Sequence, residues 1–90
     1  MPNKTILEGV VKRVAPAADG WGAHVQFAVE KSAPAEGFSD FLQAKPGSVV
    51  EVFSAEPKAV SEGKGYVLET SVLGGPGGER VVLQNARPKG

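Results

Sequence analysis

The chain contains no cysteine and a single histidine in 90 residues. Without cysteine there is no disulfide staple, no thiolate nucleophile and no thiolate metal site. The lone His24 has no partners at ligand spacing, so neither a metal nor a cofactor is expected. Charge of one sign is also not in excess. Ten Lys and Arg balance ten Asp and Glu. A protein that grips phosphates non-specifically shows a basic excess, so that class is disfavoured, although a local patch is still allowed. No apolar run approaches the ~20 residues needed to span a bilayer. The start, Met1 to Thr5, lacks the apolar stretch of a signal peptide. A soluble, cytoplasmic protein is the expectation, with no membrane contact.

What is present is ordinary globular composition: 41% hydrophobic and 22% charged residues, which argues against disorder. The length predicts one small domain over 1–90. Twelve glycines and seven prolines point to many chain reversals between short elements.

The order of those elements follows from the apolar pattern. Thr5 to Val14 is rich in β-branched residues and reads as a strand. Its alternation is broken: Ile6, Val10 and Val14 share one parity, Leu7 and Val11 the other. Gly9 in its middle marks a bulge or bend, which would let one long strand serve two sides of a curved sheet. Ala15 to Gly22 is a loop. Ala23 to Lys31 alternates cleanly, with Ala23, Val25, Phe27 and Val29 inward and His24, Gln26, Ala28 and Glu30 outward. Ser32 to Gly37 is a loop. Residues 38–43, around Phe38, Phe41 and Leu42, read as one helical turn or a short edge strand, plugging the base of the domain. Ser48 to Ser54 is a strand, Ala55 to Lys64 a polar loop, and Gly65 to Leu73 a strand with Tyr66, Leu68 and Val72 on one face. Gly74 to Glu79 is a glycine-rich turn, and Arg80 to Arg87 closes as a strand. Five strands with at most one short helical turn predict an all-β, antiparallel Greek-key barrel, since closure removes exposed sheet edges in so small a chain.

The stretches "LEGVVKRV", "GAHVQFAVEK", "KPGSVVEVFS" and "GYVLETSVL" together resemble the OB-fold. The nearest echoes are the OB domains of single-strand-binding proteins and of the large subunit of exonuclease VII. The resemblance covers Lys4 to Pro88 and rests on pattern, with a small SH3-like barrel as the alternative fold. The helix that often lies between the third and fourth OB strands would have to be "FSDFLQ". The loop before Tyr66 lacks a base-stacking aromatic. The resemblance implies a ligand face on the second and third strands and their flanking loops.

Candidate sites are few. Catalysis is not expected: a nucleophile needs a base of suitable pKa beside it, His24 is the only histidine, and there is no cysteine. Glu8, Glu51 and Glu69 fall mid-strand, where a barrel could gather them for acid–base work, but solvent-facing carboxylates are the plainer reading. "GGPGG" lacks the Gly-Lys-Ser/Thr ending of a phosphate loop and reads as a hairpin turn. Trp21 lies between two glycines in "DGWGAH". Either it covers the end of a thin core, or it is held out to stack on a base. Tyr66 shares parity with Leu68 and reads as core. Lys12 and Arg13 are adjacent and should point to opposite faces.

The leading expectation, carried by the OB resemblance and Trp21, is a non-catalytic module that binds single-stranded nucleic acid. Trp21 would stack, His24 and Gln26 would hydrogen-bond, and Lys12, Lys64 and Arg87 would supply charge. The rival is a protein-interaction or assembly module, including self-association through an unpaired edge such as "VVLQNA". A sugar- or small-ligand-binding module is the third reading, because the same face serves oligosaccharides.

Overall fold

A computed structural model of the chain describes residues 2–89. Five strands carry the fold: β1 (Thr5–Pro16), β2 (Ala23–Pro34), β3 (Val49–Ser54), β4 (Gly65–Gly75) and β5 (Gly78–Pro88). They close into a barrel in the order β1-β2-β3-β5-β4. The expected small all-β barrel is therefore observed, in a form consistent with an OB-like fold. Four pairings are antiparallel and one, β3 with β5 at Phe53 and Val82, is parallel. Geometry requires this refinement: a closed ring with an odd number of strands cannot alternate direction throughout.

The broken alternation of the first strand has a physical cause. Thr5, Leu7, Gly9 and Val11 face inward. Register steps then leave Lys12 in β1 and Glu30 in β2 without a cross-strand partner. Each is a bulge, and a bulge shifts parity and bends the strand. Beyond Lys12 it is Val14 that packs on the core. Gly9 lies at one of these steps, where an added Cβ would collide with the backbone carbonyl of Ala28. Only glycine lets β1 and β2 approach so closely.

The core comprises Leu7, Val11, Val25, Phe27, Val29, Val52, Val60, Tyr66 and Leu68. Each such side chain stabilises the fold by about 1.5–3 kcal/mol when fully buried. The inward set of β2 is the one its alternation predicts. Tyr66 is buried, and its hydroxyl accepts a hydrogen bond from the Ser61 amide at 2.9 Å. The polar loop 55–64 contributes Val60 to the core.

Residues 38–43 depart from both readings offered for them. They form bends, with neither helix nor strand, and make one isolated bridge between Asn3 and Ser39. Asp40 holds the bend by accepting from the Thr5 hydroxyl at 2.6 Å and the Gln43 amide at 2.8 Å. The Thr5 bond is a tertiary contact across 35 residues, and such contacts override the weak helical preference of so short a segment. Leu42 and Ala44 pack against the core, whereas Phe38 and Phe41 are exposed. The plug is thus made by Leu42 and Ala44. The segment precedes β3, so it does not stand where an OB helix would, and 55–64 contains no helix either.

Candidate functional site

Strand register builds the outer face of β2 and β3 in rows. Ala15 opposes His24, which opposes Phe53; Arg13 opposes Gln26, which opposes Glu51. Phe53 in turn meets β5 at Val82. On the far side, Leu73 opposes Arg80 where the β4–β5 hairpin extends past the barrel. Between the face and the hairpin runs an open groove of about 660 Å³. His24, Glu51 and Phe53 form one side, and Leu73, Glu79, Arg80 and the hairpin glycines form the other.

Aromatic contacts organise its floor. The Arg80 guanidinium carbon lies 4.6 Å from the centroid of the Phe53 ring. Arg80 makes no ion pair within 4.0 Å among the described residues, so its charge is free. The His24 ring meets Phe53 edge-on, with centroids 5.7 Å apart. Its Nδ1 lies 3.6 Å from a Glu51 carboxylate oxygen.

Trp21 is 79% exposed. The turn carrying it is ordered: the Ala17 amide donates to the Gly22 carbonyl at 3.1 Å, and the Trp21 amide donates to Asp19 Oδ1 at 2.9 Å. Trp21 is therefore held out from the core, not folded over it. Gly22, with φ at +80°, is pressed so close that a Cβ there would come within 2.7 Å of Phe53 Cζ. Trp21 is thus the chain neighbour of a residue packed on the groove floor, and its indole is not itself among the groove-lining side chains.

The other expected site residues divide. His24 lines the groove, and Gln26 is exposed in the next row of the same outer face. Lys12 is exposed at its bulge on β1, and so is Arg13 beside it. The expectation that the two point to opposite faces is corrected, because the bulge interrupts alternation between them. Lys64 lies behind β1, where its carbonyl accepts from the Val11 amide at 3.0 Å. Arg87 is on β5 opposite Val67 of β4. Neither Lys64 nor Arg87 lines the groove. Glu8 and Glu69 lie on the adjacent β1 and β4, whereas Glu51 lies across the barrel on β3, so the three carboxylates do not converge. Among the described residues, no cluster of three His, Asp or Glu could hold a metal ion, and no helix is long and apolar enough to cross a membrane.

Phe53, Arg80 and Leu73 were not singled out from the sequence. Phe53 carried a usable signal, since it has the outward parity of β3 beside an outward-facing histidine on β2. Arg80 and Leu73 carried none, because their position follows from the hairpin's overhang. No family model matches the chain, and neither a curated protein nor a solved structure matches it.

Proposed function

We propose that this chain is a non-catalytic binding module of the OB type that takes single-stranded nucleic acid in the groove between the β2–β3 face and the β4–β5 hairpin. The observation that carries the reading is the exposure of Trp21, whose neighbour Gly22 packs on Phe53 of the Phe53–Arg80 pair. Bases have π-faces that stack on aromatic rings and on guanidinium planes, whatever their sequence. In OB barrels the second and third strands and the loops at this end are the ligand-binding parts. The groove here is bounded by the corresponding pieces. Lys12 and Arg13, on the β1 side of the same face, supply charge for the phosphates. The proposal carries a cytoplasmic location with it.

The test is the fluorescence of Trp21, the sole tryptophan. Titration with short single-stranded DNA or RNA at low salt should quench or shift its emission, and added salt should reverse the change. Emission that ignores both oligonucleotides overturns the proposal.

One observation favours a second reading, a protein-interaction module. β5 meets β3 at the single pair Phe53 and Val82. Beyond it, Leu83 to Ala86 face residues 54–59 across a second groove of about 370 Å³. An extended peptide could add to this edge. A dimer stable at low micromolar concentration and indifferent to salt would support that reading over the first.

A further inference from the structure

The groove is not basic. It holds one arginine, Arg80, and two carboxylates, Glu51 and Glu79. A strand laid with its phosphates on the groove floor would set them against those carboxylates. A strand laid with bases inward and phosphates outward avoids that repulsion. Bases stacked on the outer face of Arg80, which Phe53 supports from below, then turn their edges toward the carboxylates. Glu51 is two residues from Phe53 along β3, a separation of about 7 Å, comparable to the reach of a stacked base. Its side chain is 65% exposed, and the His24 Nδ1 beside it approaches a single carboxylate oxygen. The other oxygen is open to a ligand.

We infer that the Glu51 and Glu79 carboxylates make this groove selective for bases bearing an exocyclic amino group, above all cytosine over thymine or uracil. The inference rests on the nucleic-acid reading above. A carboxylate can only accept hydrogen bonds. Cytosine presents an N4 amino donor where thymine presents the O4 acceptor. The amino group donates to the carboxylate; the carbonyl is repelled by it. The rings have the same size, so stacking differs little between them and the edge decides.

The experiment compares short labelled oligo-dC with oligo-dT of equal length, by fluorescence anisotropy, on the full chain. Oligo-dC is expected to bind roughly tenfold more tightly, within the range of one good base-edge contact. In the Glu51→Gln, Glu79→Gln double variant the preference should fall to within about threefold, because an amide both donates and accepts. Affinity for oligo-dT should hold or rise. Both side chains are exposed, and a thermal melt matching the parent confirms that the variant folds. Equal or tighter binding of oligo-dT by the parent overturns the inference while sparing the nucleic-acid reading. A preference that survives the double substitution also overturns it. If neither oligonucleotide binds, the nucleic-acid reading itself falls and takes the inference with it.

Discussion

Arg80 lies over the ring of Phe53, with its guanidinium carbon 4.6 Å from the ring centroid. The two residues come from different strands, and their contact joins the overhanging hairpin to the β2–β3 face. Phe53 is half-buried, and a cation over an aromatic ring near the surface contributes about 0.5–1 kcal/mol. Arg80→Ala should therefore lower stability by no more than about 1 kcal/mol. Its effect on single-strand affinity should be larger, a loss of about tenfold, because both a stacking plane and the groove's free positive charge disappear. Urea denaturation and fluorescence anisotropy on the same variant separate the two effects. Equal affinity in parent and variant would remove Arg80 from the site.

Trp21 is predicted to matter for binding and hardly at all for folding. It is 79% exposed, and surface substitutions away from special features usually change stability by less than ~0.5 kcal/mol. Trp21→Ala should melt with the parent yet lose about 1–3 kcal/mol of single-strand affinity, as a stacking residue does. A variant that is clearly destabilised would mean the indole covers core after all.

The acid side of the stability curve should depend on Glu69. A hydrogen bond from the Asn85 side chain, then one from Lys4, holds its carboxyl below the usual carboxylate range. A depressed folded-state pKa means the ionised form is favoured by folding. The contribution is present above the unfolded-state pKa and fades as pH falls through the folded one. Glu69→Gln should thus be slightly less stable than the parent at pH 7, with the gap closing below about pH 4. The side chain is 33% exposed, so solvent screening keeps the effect small and salt weakens it further. Paired thermal melts across pH 3–7 check it, and a gap that widens in acid contradicts the assigned partners.

The sequence displays the parts of this fold where period two is uninterrupted. β2 is legible residue by residue because Ala23, Val25, Phe27 and Val29 alternate and all four are buried. β1 is not, since the bulges at Lys12 and Glu30 are properties of two strands together. Gly9 announces that something bends, but not where parity changes. Residues 38–43 have helical apolar spacing, but the segment is too short to hold a helix alone and the tertiary bond from Thr5 to Asp40 fixes it as a bend. The candidate site was half visible. His24 and Gln26 follow from β2 alternation. The Phe53–Arg80 contact requires the parallel β3–β5 pairing, and no local pattern encodes that.

Two glycines separate fold from site. At Gly9 an added methyl collides with the Ala28 carbonyl, and that atom belongs to the backbone of the neighbouring strand. Nothing flexible can move aside, so β1 and β2 must part or lose register. Gly9→Ala should cost about 3 kcal/mol or more, in the range of severe overpacking, while any folded fraction binds as the parent does. Gly22 differs. Its φ of +80° strains any other residue, and its methyl would come within 2.7 Å of Phe53 Cζ and 2.5 Å of the Ser54 carbonyl. The backbone strain costs about 1–3 kcal/mol. The Phe53 ring would be displaced, disturbing the stacking floor. Gly22→Ala should therefore lose both stability and affinity, measured on the folded fraction at low temperature, where Gly9→Ala loses stability alone. If the two variants bind equally well per folded molecule, then Gly22 does not position Phe53, and the groove floor is set by β3 without help from the Trp21 turn.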